Sequence, residues 1–297
     1  MVRRSIFALL AGLLGLGSPL AAGEIWSSLD DGFWRIHSKS APGSALRMQG
    51  LPPGGDFGAP SLSPDGSRIA IEMAGTGVAV CSQKTAACVQ LEDVPGVAAR
   101  PTWNSRTGDL VFALFQADAK SEDSDLWVVD SALENPRPLV VQTGNQDDPD
   151  VSPDGRFLAY SSGQTVRLHR TRFRVVRHLW IMDLVTGRAW PLVAGAFQDL
   201  HPDWSPDGQQ IAFASNRSGQ FEIWVISVEG GELRQVTSGG GSKTWPAWAP
   251  GGESLLFTQS GNGLYTLMEV GAAGSEPKPF TPVLPGTGIQ MRDADWR

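Results

Sequence analysis

Five arginines fall within one short stretch of the chain, GQTVRLHRTRFRVVR, which runs over residues 163–177. They are Arg167, Arg170, Arg172, Arg174 and Arg177. The planar guanidinium fork binds carboxylate and phosphate groups in two-pronged geometry. The stretch therefore predicts a contact surface for an acidic protein, an anionic polysaccharide or lipid headgroups. The alternative is an extended hairpin whose arginines are solvated or paired with nearby acids.

A second group of residues with chemical potential recurs at one position of a repeat described below, directly before a predicted strand. Its members are Ala59, Arg100, Asp148, His201, Trp245 and Asp293. We expect this group to ring a central axis and to form a second binding site. A histidine with one or two aspartates can transfer protons, but it falls short of the four ligands of a closed zinc site. We therefore expect no metal and no cofactor. The alternative is a polar, water-filled axis in which Arg100 and Arg292 pair with Asp148 and Asp293.

The elements that must position these residues belong to a repeat. It begins at Pro60, Pro101, Pro149, Pro202 and Pro246, with spacings of 41, 48, 53 and 44 residues. Its copies are PSLSPDGSRIAIEM, PTWNSRTGDLVFAL, PDVSPDGRFLAYSS, PDWSPDGQQIAFAS and PAWAPGGESLLFTQ. A period of about 40–50 residues is typical of a propeller blade with four strands.

Each part of the repeat has a physical reason. Pro206 presets φ for a tight turn, and Gly208 can adopt the positive φ that closes a short hairpin. The strands after this turn are apolar on both faces, so each sheet needs neighbours, which radial stacking supplies. Trp103, Trp204 and Trp248 share one repeat position, where we expect them to fill the space between blades.

The two ends of the chain complete the ring in this interpretation. Asp295-Trp296 matches the first strand of a repeat, but nothing follows it, whereas residues 24–50 supply what matches the remaining three strands. The fold class predicted is therefore all-β, a six-bladed β-propeller of four-stranded antiparallel blades. The closing blade combines residues 290–297 with residues 24–50, so that Trp296 packs as Trp204 does.

The copy PDWSPDGQQIAFASNRSGQFEIWVISVEGGELRQVT, from Pro202, resembles the repeat of the TolB-like β-propellers, a family related to WD-repeat proteins. The resemblance covers residues 24–297, with four clear copies of the motif and degraded copies in WNSRTG and at the last half-blade. It implies a six-bladed propeller exported to the periplasm or beyond, without the additional N-terminal α/β domain of TolB. Some relatives are lyases with a metal-binding histidine cluster, for which the four histidines of this chain supply no match.

The first 23 residues have the features of a secretory signal peptide. Arg3 and Arg4 precede an apolar run from Ile6 to Gly17 that is too short to span a bilayer, and small residues precede Glu24. The mature chain, residues 24–297, is then one β-propeller domain without a membrane span. Removing the leader changes the formal net charge from −7 to −9, because it takes away two arginines and no acid. This charge disfavours nucleic-acid binding.

The only two cysteines, Cys81 and Cys88, flank a polar turn between two short apolar runs. In an exported protein this arrangement favours a disulfide across a hairpin, with two free thiols as the alternative.

Taken together, these features predict a periplasmic or secreted, monomeric propeller that acts as a non-enzymatic scaffold for a protein or anionic envelope partner. The alternative is a lyase or hydrolase of an acidic glycan that uses His201, Arg100 and Asp148 at the channel.

Overall fold

The structure, a computed structural model, describes residues 24–30, 33–38, 51, 55–116, 123–280 and 291–296. Every regular element in these ranges is a β-strand, and all strand pairs are antiparallel. Five sheets have four strands each, and we number them blades 1 to 5 in chain order. One further sheet, here called the closing sheet, has three strands.

Each blade is a meander whose strands follow one another in space as they do along the chain. Blade 1 contains β3 (Phe57–Leu62), β4 (Arg68–Met73), β5 (Gly77–Ser82) and β6 (Cys88–Gln90). Blade 2 contains β7 (Gly96–Trp103), β8 (Leu110–Gln116), β9 (Ser124–Val129) and β10 (Arg137–Val140). Blade 3 contains β11 (Gln146–Val151), β12 (Phe157–His169), β13 (Arg172–Asp183) and β14 (Ala189–Pro191). Blade 4 contains β15 (Asp199–Trp204), β16 (Gln210–Ser215), β17 (Glu222–Ser227) and β18 (Leu233–Gln235). Blade 5 contains β19 (Ser242–Trp248), β20 (Ser254–Gly261), β21 (Leu264–Gly271) and β22 (Lys278–Pro279).

The closing sheet joins the two ends of the described chain. It contains β1 (Glu24–Asp30), β2 (Phe33–Ser38) and β23 (Met291–Trp296) in the order β2-β1-β23. Glu24 pairs with Trp296 and Ile25 with Asp295, as ring closure requires. The first strand of each blade contacts the first strands of its neighbours, and β23 lies between β19 and β3.

The expected number of blades was wrong. The structure shows five four-stranded blades rather than six, because the closing sheet has only three strands within the described residues. The fourth strand expected there, residues 44–48, lies outside the described residues, as do the predicted signal peptide and the side chain of Trp296. The repeat could not reveal this difference, since no copy of its motif covers residues 24–50.

The repeated SPDG turn is held by its own serine and aspartate. In blade 4, Gly208 adopts a φ of 70° and donates its N–H to the carbonyl of Ser205 at 2.8 Å. The carboxylate of Asp207 accepts the Ser205 hydroxyl at 2.6 Å and the backbone N–H of Gln209 at 3.0 Å. These bonds satisfy the polar groups of the turn locally, so the adjoining strands are set at a fixed register.

The prediction that Trp103, Trp204 and Trp248 fill the space between blades is confirmed. Their exposed fractions are 0%, 6% and 5%. Each indole N–H donates to a backbone carbonyl of the preceding blade, as Trp103 does to Ser61 at 3.1 Å. Trp204 donates in the same way to the carbonyl of Asp150, and Trp248 to that of Asp203, each at 3.2 Å. These rings therefore tie neighbouring blades together through both apolar contact and hydrogen bonding.

The disulfide prediction is also confirmed. Cys81 and Cys88 lie directly opposite each other on β5 and β6, and they form a disulfide. The bond ties the short outermost strand of blade 1 to its neighbour. A search of the described part of the chain for helices with the length and apolar character of a membrane span finds none.

Candidate functional site

The residues predicted to ring the axis share a rare backbone conformation. Five residues that directly precede the repeat's proline have a positive φ, at which β-carbon crowding disfavours most side chains. They are Ala59 at 40°, Arg100 at 51°, Asp148 at 50°, His201 at 53° and Trp245 at 55°. At each of them the pairing of the first and second strands shifts register. Each blade therefore bulges at its inner edge and turns one side chain toward the axis. Backbone strain of this kind concentrates at functional sites.

The axial cavity that they line is narrow, about 100 Å³ in volume. Arg100, Asp148, His201 and Trp245 all lie on its wall. Asp293 falls at the register shift between β1 and β23, the equivalent place in the closing sheet. Its side chain and that of Arg292 lie outside the described residues, so their expected pairing stays a prediction.

Arg100 is the centre of a cluster of charges at the mouth of this cavity. Its Nη1 lies 2.5 Å from a carboxylate oxygen of Asp147 and 2.5 Å from one of Asp148. Its backbone N–H donates to the carboxylate of Glu72 at 3.2 Å. The guanidinium carbon lies 5.4 Å from the ring centre of Trp245, within cation–π range. The pairing of Arg100 with Asp148, which the alternative of a polar axis predicts, is thus observed, with Asp147 as an additional partner.

His201 is held between an aromatic ring and a carboxylate. Its ring is stacked on that of Trp245 at 3.7 Å between centres, with 17° between the planes. Its Nε2 lies 3.7 Å from Asp148 Oδ2, which also accepts the His201 backbone N–H at 3.2 Å. Burial lowers the pKa of His201 to about 4, against the opposing effect of Asp148. The imidazole is therefore neutral at pH 7.

The pKa values of the two adjacent aspartates of the cluster are shifted in opposite directions. Burial, together with the like charge of Asp148, raises the pKa of Asp147 to about 6. Burial also acts to raise the pKa of Asp148, but Arg100 and His201 outweigh it and hold that pKa below its usual value. A buried carboxyl that titrates near neutrality, as Asp147 does, can accept or donate a proton at pH 7.

Asp147 lies one residue before Asp148, outside the repeat position that guided the prediction. The signal for its role was the pair of consecutive aspartates directly before Pro149. As for metals, no group of three or more His, Cys, Asp or Glu side chains suited to hold one is found in the described ranges.

The arginine-rich stretch is a continuation of two strands rather than a loop. β12 and β13 have 13 and 12 residues, and they pair from Phe157 opposite Asp183 up to the turn at residues 170–171. In blade 4 the corresponding strands have 6 residues each. The hairpin therefore extends beyond its blade on the face of the channel mouth. We call residues 163–177 the arginine hairpin.

The base of the arginine hairpin lies close to the charge cluster. Arg177 is half-buried, and its charge lowers the pKa values of Asp147, Asp148 and His201. Its backbone N–H donates to Gln198 at 3.1 Å. Arg170 and Arg174 are exposed, whereas the side chains of Arg167 and Arg172 lie outside the described residues. The two candidate regions predicted separately are thus adjacent at Arg177.

A wider cavity opens beside the cluster at the same mouth. It has a volume of about 260 Å³, and its wall includes Glu72, Arg100, Trp245 and Tyr265. Glu72 and Tyr265 lie near the ends of second and third strands, outside the repeat position that guided the prediction, so sequence reasoning missed them. They extend the candidate site from the axis toward blades 1 and 5.

Comparison with known proteins supports the fold. Residues 163–283 match the family described as PD40, the TolB beta propeller domain. A structure assigned as TolB from Agrobacterium tumefaciens aligns with a TM-score of 0.68 at 17% identity, over 93% of this chain and 98% of the other. TolB from Acinetobacter baumannii aligns with a TM-score of 0.73 at 16% identity, over 92% of this chain and 66% of the other.

Two further matches concern enzymes. A structure of oligogalacturonate lyase in complex with manganese aligns with a TM-score of 0.60 at 16% identity, over 86% of this chain and 73% of the other. A curated protein of Bacillus subtilis, the uncharacterized peptidase YuxL, is 36% identical over 72 residues. That match covers 24% of this chain and spans only 10% of the length of the relative. The family match and the structural neighbours together show that the chain has the fold of a TolB-like β-propeller.

Proposed function

We propose that the protein is an exported, non-enzymatic propeller that docks a protein or an anionic envelope component on the face of the channel mouth. The arginine hairpin carries this proposal. It is the longest strand pair in the described chain, whereas the corresponding strands of blade 4 have 6 residues each. Long extensions on a regular scaffold are often functional. The exposed guanidinium groups of Arg170 and Arg174 suit carboxylate or phosphate groups.

Exposed apolar side chains on the same face support docking of a macromolecule. Connections from second to third strands and from fourth strands to the next blade share this face. On the connections from second to third strands lie Val175, 53% exposed, Leu264, 55% exposed, and Tyr265, 40% exposed. On a connection between blades lies Phe197, 41% exposed. Aromatic and apolar groups among arginines are typical of protein interfaces.

The cellular location follows from separate features. Residues 1–23 read as a secretory signal peptide, and a disulfide persists in oxidising compartments. We infer that residues 24–297 form one propeller domain that is periplasmic or secreted and monomeric.

The test is crosslinking and affinity capture from the native envelope. Wild type is compared with a variant in which Arg167, Arg170, Arg172, Arg174 and Arg177 are changed to Ala. The matched control removes five exposed cations away from this face: Lys84, Arg106, Arg137, Arg188 and Lys278. We expect partners to be lost only with the hairpin variant. An unchanged partner list, or an equal loss with the control, contradicts the proposal.

A lyase or hydrolase acting on an acidic glycan is the second candidate. It is favoured by Asp147, whose pKa is raised to about 6, and by the neutral imidazole of His201, which lies against Asp148. It also draws on the likeness in fold to oligogalacturonate lyase. In this role the imidazole of His201, with the carboxylate of Asp148 beside it, would exchange a proton with the substrate, and Arg100 would hold a carboxylate of the substrate. Turnover of an acidic glycan that disappears in His201→Ala would establish this function in place of the binding role.

A further inference from the structure

A separate cavity lies on the face opposite the channel mouth, where the SPDG turns of blades 3 and 4 meet. Its volume is about 430 Å³. Phe157, Trp190 and Trp204 form its aromatic wall, and Ile181 and Val228 complete its apolar lining. We call it the aromatic groove. The volume is in the range of sites for small ligands, about 300–1,000 Å³.

The repeat shows which residues make this groove different from the corresponding groove between blades 4 and 5. In blade 3 the residue opposite the end of the first strand is Leu158, which pairs with Val151. In blade 4 it is Ile211, which pairs with Trp204. Phe157 and Gln210, which directly precede these two residues, are therefore equivalent. Likewise, Trp190 pairs with Ile181 as Arg234 pairs with Val225. Trp190 and Arg234 are therefore equivalent. Two polar residues of blade 4 are thus replaced by two aromatic residues in blade 3.

At two other junctions between neighbouring blades, an arginine side chain bridges the place that corresponds to the aromatic groove. Arg234 donates to the carbonyl of Ala272 in blade 5 at 2.6 Å. Arg68 lies over the ring of Trp103 at 4.5 Å and donates to the carbonyl of Ser131 in blade 2 at 2.8 Å. Arg68 is the blade 1 equivalent of Phe157, because Ile69 pairs with Leu62. Packing between blades is therefore achieved elsewhere with polar residues at these positions, and the aromatic pair of blade 3 is not required by the fold.

The three rings stand at different angles around the groove. Phe157 and Trp204 are stacked at 6.4 Å with 24° between their planes. Phe157 and Trp190 meet edge to face at 6.3 Å and 81°. Phe157 and Trp190 stay half-buried, so each leaves part of its ring for a planar apolar group, whereas Trp204 is only 6% exposed.

The rim of the groove is acidic. Asp154 and Asp207, from the two SPDG turns, both line it and are exposed. Serine hydroxyl donors, Ser152 and Ser205, lower the pKa of each carboxyl, so both are ionised at neutral pH. The guanidinium of Arg156 lies over the ring of Phe157 at 4.8 Å, and its charge is paired with Asp183 at 3.0 Å. The groove thus combines apolar walls with negative charge at its opening.

We propose that the aromatic groove binds a small amphipathic cation, a ligand that joins a planar apolar body to one positively charged amine. The body packs against the half-buried rings of Phe157 and Trp190 at the wall of the groove, and the amine faces Asp154 and Asp207. Aromatic faces add cation–π attraction to the ionic contacts. This site lies on the opposite face from the arginine hairpin, so it is independent of the docking role.

Calorimetric titration of the full chain with three indole probes tests the proposal. Tryptamine carries the amine, tryptophol replaces it with a hydroxyl, and indole-3-propionate replaces it with a carboxylate. We expect tryptamine to bind about threefold to tenfold more tightly than tryptophol, with indole-3-propionate weakest. Equal binding of all three probes overturns the charge assignment, and absence of tryptamine binding up to its solubility overturns the site.

Two sets of variants locate the binding. Phe157→Gln with Trp190→Arg gives blade 3 the residues that blade 4 already carries, so we expect a folded protein that binds tryptamine at least about tenfold more weakly. Asp154→Asn with Asp207→Asn should weaken tryptamine binding but not tryptophol binding. Asp65→Asn removes the same charge from the equivalent turn of blade 1, so it should change neither tryptamine binding nor tryptophol binding. Full tryptamine affinity in the folded Phe157/Trp190 variant places the binding elsewhere and overturns the proposal.

Discussion

The carboxylate of Asp295 accepts a hydrogen bond of 2.7 Å from the backbone N–H of Leu62, 233 residues earlier in the chain. The same contact recurs between other neighbours. Asp150 accepts the backbone N–H of Trp204 at 2.8 Å, and Asp203 accepts that of Trp248 at 2.7 Å. The junction that closes the ring is therefore built like the junctions between blades 3, 4 and 5.

The first prediction concerns this contact. Asp295→Ala leaves the N–H of Leu62 without its carboxylate, so the free energy of unfolding should fall by about 1–3 kcal/mol in urea titration. Asp203→Ala, which removes the same bond between blades 4 and 5, is the matched control and should give a similar loss. If the urea midpoint of Asp295→Ala equals that of wild type, the closing contact contributes nothing to the free energy of unfolding.

Truncation extends the same prediction to the whole strand. Deleting residues 293–297 removes most of β23, the strand that pairs with β1. The melting temperature should fall far more than after deletion of Arg297 alone, because β1 loses its inner neighbour. Equal melting of the two shortened chains would contradict ring closure by β23.

The second prediction concerns a buried ion pair. Lys243 is 1% exposed, and its Nζ lies 3.2 Å from the carboxylate of Glu222 in blade 4. It also donates to the carbonyls of Gly239 and Gly241. Lys243→Met leaves Glu222 buried without its cation, so the free energy of unfolding should fall by about 3–5 kcal/mol.

The double variant Lys243→Met with Glu222→Leu serves as the control. It should recover much of the loss, because no buried charge remains. Equal destabilisation of the single and double variants would mean that packing, and not the unpaired charge, explains the effect.

The third prediction concerns the disulfide. Cys81 and Cys88 are separated by 7 positions, so the bond closes a short loop. Changing both cysteines to Ser should lower the free energy of unfolding by about 2.5 kcal/mol, the loop entropy for this size. Reduction of wild type with dithiothreitol should give the same midpoint as the variant. If reduction leaves the wild-type midpoint unchanged, the bond contributes no stability.

The fourth prediction is a pH dependence. The pKa of His201 is about 4 in the folded chain, against an ordinary value of 6.5, so below pH 6.5 the unfolded chain binds a proton that the folded chain does not. The free energy of unfolding should therefore fall as pH drops from about 6.5 to about 4. The stability advantage of wild type over His201→Gln should shrink by up to about 3 kcal/mol over this range.

The raised pKa of Asp147 acts in the opposite direction. It stabilises the folded chain below pH 4, and this contribution is lost as pH rises through about 6. The comparison must therefore be made between two proteins that both retain Asp147. Parallel stability curves for wild type and His201→Gln would rule out the buried, neutral state of His201.

The repeat made the first strands, the SPDG turns and the buried tryptophans predictable. A proline and a glycine at fixed offsets impose local geometry, and the same geometry then recurs wherever the motif does. The disulfide followed from two cysteines placed symmetrically about one turn. The number of four-stranded blades did not follow, since residues 24–50 carry no copy of the motif.

The site was predictable only in part, for a different reason. Repeat position identified Arg100, Asp148, His201 and Trp245, because one backbone bulge recurs in every blade. Glu72 and Tyr265 reach the same cavity from other strands, which a linear motif does not encode. The closeness of Arg177 to Asp147 likewise depends on how far β12 and β13 extend beyond the blade. The alternation of apolar and polar residues alone does not set the length of a strand.

The pairing of β1 with β23 also sets an order in time. β1 precedes blades 1 to 5 along the chain, and its inner partner β23 follows all of them. Until β23 pairs with β1, β1 and β2 are a two-stranded ribbon, a structure with marginal stability in water. Blades 1 to 5 can form their own strand pairs, whereas the closing sheet has to wait. Residues 24–30 therefore keep an exposed strand edge in any partly folded chain in which β23 has not yet paired with β1.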